Sequence, residues 1–250
     1  MMIGPLPASA KPVLKNGCCV PASASGADWG GNAAGLTFHV APLHEPLSST
    51  MDVLVVGGTG TIGRAVVDTL SPRHDATAVG HTSGDLQVDL ADPESIDRLY
   101  DAVGPQDAVL SCAGEAAFGE LPELTTDDFS HSLSNKLMGQ VNLVRHGLNV
   151  VRDGGSFTLT SGVLSQEPMP GSAAISLVNA GVEGFVRAAA LEAPRDIRVN
   201  VVSPPWVAET LDEMGEDPRD GLPAAAVAEA YRASLEGDMT GETLDARALA

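Results

Sequence analysis

The residues that most directly specify chemistry are Gly57-Gly58-Thr59-Gly60-Thr61-Ile62-Gly63, in which Gly57, Gly60 and Gly63 recur at every third position. Glycines so spaced permit a tight turn, let backbone amides approach a pyrophosphate and allow close helix–strand packing. An apolar run, Asp52-Val53-Leu54-Val55-Val56, precedes the loop, and Ile62, Ala65, Val66 and Leu70 share one helical face after it. A glycine-rich loop between a strand and a helix is the context in which this pattern binds a dinucleotide. A second signal lies at the end of the next apolar run, Val79-Gly80-His81-Thr82-Ser83. An acid there would hold the ribose 2′-hydroxyl and repel a 2′-phosphate. None occurs before Asp85, and His81, Thr82 and Ser83 can donate to a phosphate, so NADP is expected over NAD. No arginine or lysine stands beside them, and a surface-loop role for His81 stays open. The six histidines are scattered, and Cys18, Cys19 and Cys112 have no metal-ligand spacing, so no metal is expected.

Positioning these residues requires a regular frame. Apolar runs at 52–57, 76–80, 86–90, 107–112, 155–160 and 197–203 read as strands, and helical patterns fall near 62–71, 93–102, 127–151, 172–192 and 223–235. Asp92-Pro93 supplies an N-cap and a preset first turn. Strands alternating with helices predict an α/β fold, a single Rossmann-type domain with a doubly wound parallel sheet. Residues 1–50 read differently: rich in Pro, Ala, Ser and Gly, they carry only Asp28 and Glu45 as acids. The expectation is a folded domain over 51–250, and a disordered or non-native extension over 1–50.

The 250 residues include 33 Asp and Glu against 14 Lys and Arg, for a net charge of -19. Such a surface repels phosphate backbones, so no nucleic-acid partner is expected. No uninterrupted run of about 18 apolar residues occurs, so no membrane span is expected. Three cysteines without a framework, and no secretory leader pattern, fit a reducing cytoplasm.

Residues 51–245 resemble the short-chain dehydrogenase/reductase superfamily. The glycine loop matches the variant spaced GxxGxxG, and Val88-Asp89-Leu90 matches the family's adenine-contacting acid. Ala113-Gly114 matches the end of its NNAG strand, with both asparagines absent; Thr158-Leu159-Thr160-Ser161 matches the strand ending in the catalytic serine. Arg198-Val199-Asn200-Val201-Val202-Ser203-Pro204 matches RVNxVSPG, with Pro205 in place of the glycine. The resemblance implies that Ser161 is catalytic and that Gly57, Thr59, Gly60, Thr61, Ile62, Gly63, Asp89, Ala113, Gly114, Asn179 and Pro204 meet the cofactor. It also implies a homodimer or homotetramer, often formed through the two long helices.

The departures from the family are informative. Its reductases use a tyrosine and a lysine four residues apart, the lysine lowering the phenol's pKa. Register with YxxxKAAVEG puts Ile175 at the tyrosine position and Asn179 at the lysine position. Tyr100 and Tyr231 lie elsewhere, on helices where packing roles are ordinary. The family's further catalytic asparagine, counted without a gap, falls on Lys136, the only lysine after residue 50. Asparagine and lysine are thus exchanged between two helices. A one-residue shift would instead put Asn135 in that role and leave Lys136 on the surface. In the exchanged arrangement, Lys136 and Asn179 reach the nicotinamide ribose, Ser161 binds a substrate carbonyl, and the proton comes from Lys136 or from a water beside it. Three readings follow: an NADP-dependent oxidoreductase acting on a small carbonyl or hydroxyl substrate, a catalytically silent NADP-binding sensor or regulatory protein, and an extended-type epimerase or dehydratase. The segment Pro205–Leu222 is expected to cover the pocket, with Trp206, Val207, Leu211 and Met214 as its wall and its acids facing solvent.

Overall fold

The computed structural model describes residues 50–249; the expected extension over 1–50 falls almost wholly outside them. Seven strands are present: β1 (Asp52–Val56), β2 (Asp75–Gly80), β3 (Leu86–Gln87), β4 (Gln106–Ser111), β5 (Val151–Thr160), β6 (Arg198–Ser203) and β7 (Thr243–Asp245). They form one sheet in the order β3-β2-β1-β4-β5-β6-β7, and every pairing is parallel. The chain therefore winds outward from β1 in one direction and then returns to β4 for the other. That reversal opens a crevice at the carboxyl ends of β1 and β4, where doubly wound sheets bind ligands.

The strand sequences explain this layering. Leu54 and Val56 of β1 point into one core cluster, whereas Val53 and Val55 point into another on the opposite face. Successive side chains alternate across a strand, so a continuous apolar run marks a strand buried on both faces. Helices α2 (Pro93–Val103), α4 (Gly139–Gly147) and α5 (Ala173–Glu192) cover the first face; α1 (Thr61–Leu70) and α7 (Ala224–Glu236) cover the second. Asp92 caps α2 by accepting from the Glu94 amide at 3.0 Å, with Pro93 next in line. The RVN segment of β6 acts as a clamp. Arg198 donates to the carbonyls of Ser234 and Leu235 at 2.9 Å, satisfying the end of α7, and Asn200 bonds the Met239 carbonyl and the Glu242 amide, seating β7.

Two expectations are corrected. The helix anticipated over 127–151 is interrupted: α3 (Thr126–Ser132) runs into a π-helical turn, Leu133–Met138, before α4. The strand β5 already begins at Val151, so α4 stops at Gly147. Two further elements lacked a periodic signal, the short α6 (Ala208–Met214) and β7. Helix α5 also revises the hydropathy argument. Its mean hydropathy of 1.3 and length of 20 residues would suffice to cross a membrane. Its buried face, from Ala174 through Val178 and Val182 to Val186, includes Asn179 and Glu183, so apolarity here serves the core of the sheet's flank.

Candidate active site

The glycine loop joins β1 to α1 as expected. Gly57 has φ +82°, and a Cβ there would lie 2.8 Å from that of Ala113. At Gly63 a Cβ would fall 1.9 Å from the Gly57 carbonyl oxygen, so the turn admits only glycine. The N-cap of α1 is Gly60, which offers no side-chain cap. The amides of Thr61, Ile62 and Gly63 therefore open the helix without an intrahelical or side-chain acceptor, an arrangement suited to an anion.

Two hollows meet at the Ala113–Gly114 turn after β4. The first, about 210 Å³, is lined by Lys136, Ser161, Asn179, Ile175, Pro204 and Trp206 among others. The second, about 270 Å³, is lined by Gly57, His81, Asp89, Glu115, His131 and Asn135 among others. Of the residues expected to meet a cofactor, Ile62, Asn179 and Pro204 line the first hollow, Gly57, His81 and Asp89 the second, and Ala113 and Gly114 both. Thr59, Gly60, Thr61, Gly63, Thr82 and Ser83 line neither. Gly60 and Gly63 shape the turn, Thr59 abuts Gly80, and Thr61 borders a separate groove with Arg64 and Glu209. The loop after β2 curls back on itself: a Cβ at Gly80 would meet the Ser83 carbonyl oxygen at 2.1 Å, and the Thr82 carbonyl accepts from Gln87 at 3.1 Å. Of the three expected phosphate donors, only His81 borders the hollow.

Lys136 and Asn179 line the same hollow. The π-turn widens the helix, a device common at functional sites; Asn135 of this turn lines the second hollow and Lys136 the first. Asn135 Oδ1 accepts from the Glu115 amide at 2.8 Å. Lys136 is 8% exposed, and its Nζ donates to the Ser161 carbonyl at 3.2 Å. The surface placement implied by a one-residue shift therefore does not hold. Burial, with no carboxylate partner, pushes the Lys136 ammonium down to about 8. Its stem passes over Gly114 (φ +136°), where a Cβ would lie 2.9 Å from Lys136 Cγ.

Ser161 Oγ and Asn179 Oδ1 are both buried without a hydrogen-bond partner. Asn179 Nδ2 reaches the Gly162 carbonyl at 3.4 Å. Orphaned polar atoms beside a cleft are costly unless a ligand satisfies them. Ile175, which the resemblance aligns with the family tyrosine, lines the first hollow. Neither tyrosine replaces it. The Tyr100 hydroxyl donates to the Leu143 carbonyl at 2.7 Å. Tyr231 is fully buried and bonds Thr160 Oγ1, which itself donates to the Ser111 carbonyl. The Tyr231 proton is thus engaged by Thr160, and burial raises its pKa well above the phenol range. Burial likewise pushes the Cys112 thiol up to about 12, leaving it a poor nucleophile.

Two buried polar side chains position the site. Gln140, fully buried, donates to the carbonyls of Lys136 (3.1 Å) and Thr160 (2.9 Å) and accepts from the Thr160 amide (2.7 Å). It ties the π-turn to the strand that ends in Ser161. Glu183, also buried, accepts from Ser165 (2.5 Å) and Gln166 (3.1 Å) and holds the loop after Ser161. Each lies four residues beyond a site residue, Gln140 after Lys136 and Glu183 after Asn179, so i, i+4 spacing was the available signal. Among the described residues, no three His, Cys, Asp or Glu side chains gather as a metal site would require.

A glycine turn opening an uncapped helix, at the switch point of a parallel sheet, defines a nucleotide-binding Rossmann protein. The comparisons sharpen that class. A family model described as enoyl-(acyl carrier protein) reductase matches residues 61–238, and the chain belongs to this family within the short-chain dehydrogenase/reductase superfamily. Protein lin1944 from Listeria innocua is 38% identical over 78% of this chain and 99% of that one, with a TM-score of 0.76. A small-chain dehydrogenase solved in complex with NADPH is 26% identical over 80% of this chain and 99% of its own, at a TM-score of 0.70. Among curated relatives, versicolorin reductase stcU of Emericella nidulans is 31% identical over 48% of this chain. The chain spans about half of that relative's length, 47%. Hydroxynaphthalene reductase arp2 of Aspergillus fumigatus is 27% identical over 65% of this chain and 68% of its own.

Proposed function

We propose that this oxidoreductase uses NADP and reduces a carbonyl, with Lys136 as the proton donor. The observation that carries the reading is the buried Lys136 ammonium, which shares the first hollow with two unpartnered polar atoms, Ser161 Oγ and Asn179 Oδ1. The residues fit a nicotinamide dinucleotide: the amides opening α1 suit the pyrophosphate, Asp89 the adenine end, and Lys136 and Asn179 the ribose beside the nicotinamide. When bound, that cofactor supplies the hydride. The chain must supply the rest. Ser161 Oγ donates to the substrate carbonyl oxygen and polarises it. Lys136, whose pKa near 8 keeps it protonated at neutral pH yet able to release, gives the proton to that oxygen. Its remaining N–H, with Asn179, holds ribose hydroxyls. Support for NADP over NAD comes from the absence of an acid at the end of β2, from His81 at the second hollow, and from the NADPH bound by a structural relative.

Ile175 in the cleft wall favours a second reading, a silent NADP-binding sensor. Titrating NADPH and NADH into the full chain and following oxidation against a carbonyl panel separates the readings. The proposal expects tighter NADPH binding with turnover; tight binding without turnover favours the sensor, and no binding removes both. For assembly, a homodimer or homotetramer through α4 and α5 is supported by the apolar groove of Val144, Leu148, Phe185 and Ala189.

A further inference from the structure

The rim of the first hollow carries aromatic and apolar surface that neither the fold nor the proton donor requires. Trp206 lines the hollow, and Phe118 meets it edge to face, with centroids 6.2 Å apart and planes at 71°. Such a pair is a geometry of real attraction, not incidental crowding. Phe118 is half exposed, at 50%, and so is Met169, at 45%. The seat of Phe118 is built: it rests on Gly171, whose φ is +84° and where a Cβ would lie 2.9 Å from the Phe118 ring. The Gly119 amide donates to the Gly171 carbonyl at 2.9 Å, joining the two loops of the rim. Inside, Val163, Leu164 and Ile175 continue the apolar wall, and Lys136 is the only charged side chain of the lining.

The charge of the domain points the same way. Helix α6 and the turn after it expose Glu209, Asp212, Glu213, Glu216, Asp217 and Asp220. Arg219 is the sole cation of that stretch, and it is paired with Asp217. The first fifty residues contain two acids and two lysines, so the whole net charge of -19 belongs to residues 51–250. An anionic substrate, or one tethered to a phosphorylated or acidic carrier, meets like charge on approaching this domain, and the lining of the first hollow holds a single cation, Lys136. We infer that the first hollow takes a free, neutral carbonyl compound with a flat apolar ring, seated against Trp206 and Phe118, and discriminates against carrier-linked acyl thioesters. This rests on the reading of the hollow as a carbonyl-reducing site, and it assigns Trp206 and Phe118 as specificity residues.

The test uses the full chain with NADPH and three probes: α-tetralone as a neutral bicyclic ketone, its ring-carboxylate analogue, and acetoacetyl-CoA as a thioester. Binding is read by isothermal titration calorimetry and turnover from NADPH oxidation. The expected result is saturable α-tetralone binding, with kcat/KM for the ketone at least 100-fold above that for either anion. In Trp206→Ala the kcat/KM for the ketone falls about 10- to 100-fold, chiefly through KM, as loss of a ring contact requires; Trp206→Phe recovers most of it. Saturable ketone binding that Trp206→Ala weakens, with no turnover of any probe, sustains the ligand class while removing the reductase reading. Turnover of acetoacetyl-CoA at or above that of the ketone sustains the reductase and overturns the inference. Absence of ketone binding overturns it as well.

Discussion

Replacing Lys136 by methionine is expected to make the protein more stable while disabling it. Lys136 has one hydrogen bond, to the Ser161 carbonyl, and lies 8% exposed with no carboxylate partner. Its pKa falls from an ordinary 10.5 to about 8. At about 1.4 kcal/mol per tenfold change, holding the charged form in this site costs about 3 kcal/mol. Methionine has a comparable unbranched shape and carries no charge, but it leaves the Ser161 carbonyl without its donor, a loss of about 1 kcal/mol. The net gain near pH 7 is therefore about 2 kcal/mol, or roughly 4–8 °C in Tm for a domain of this size. The sign of the pH dependence follows from linkage. Below about pH 8 the lysine is charged in both folded and unfolded chains, and the penalty is fully present. Between about 8 and 10.5 the folded chain releases the proton while the unfolded chain still binds it, so wild-type stability rises with pH. Urea unfolding of wild type and Lys136→Met at pH 7 and pH 10 measures this directly. The advantage of the variant should shrink at the higher pH. A variant less stable than wild type at pH 7, or an advantage that ignores pH, refutes the reasoning.

Other consequences follow from the same geometry. Wild-type turnover should decline above about pH 8 as Lys136 loses its proton, which a kcat–pH profile checks. Ser161→Ala removes an oxygen that has no protein partner, so Tm should hold within about 2 °C while kcat/KM falls about 100-fold. Gln140→Leu strands both backbone groups of Thr160 and removes the tie to the Lys136 carbonyl; denaturant melts should show a loss of about 3–5 kcal/mol. Gly63→Ala drives a Cβ into the Gly57 carbonyl, and isothermal titration should show NADPH affinity reduced at least 100-fold, an estimate from the geometry of the phosphate turn.

The frame was legible because its signals are local and repetitive. The apolar run of β1, the glycine spacing after it and the 3.6 period of α1 each specify one conformation, and together they specify the sheet's switch point. The positions of Ser161, Asn179 and Ile175 were readable because each sits at a fixed step from a recognisable strand or helix. The π-turn was not readable, since Leu133-Ser134-Asn135-Lys136-Leu137-Met138 has ordinary helical composition; only the contacts of Lys136 with Gly114 and Ser161 show why the wider turn is used. Gln140 and Glu183 read as polar residues on helices, and their burial depends on partners 20 and 18 residues away in sequence. The loop Gly80–Asp85 escaped for a related reason. Its donors were visible, but the fold-back that keeps Thr82 and Ser83 out of the hollow depends on close approach at Gly80.

The most direct test of the central claim compares NADPH oxidation in wild type and Lys136→Met under single-turnover conditions, with NADPH affinity measured on the same samples. The account predicts that the variant binds NADPH within about tenfold of wild type, because the amides of α1 and the second hollow are untouched, and that hydride transfer to a carbonyl slows at least about 100-fold. Undiminished transfer in a variant that still binds NADPH would contradict it, and would place the proton donor elsewhere.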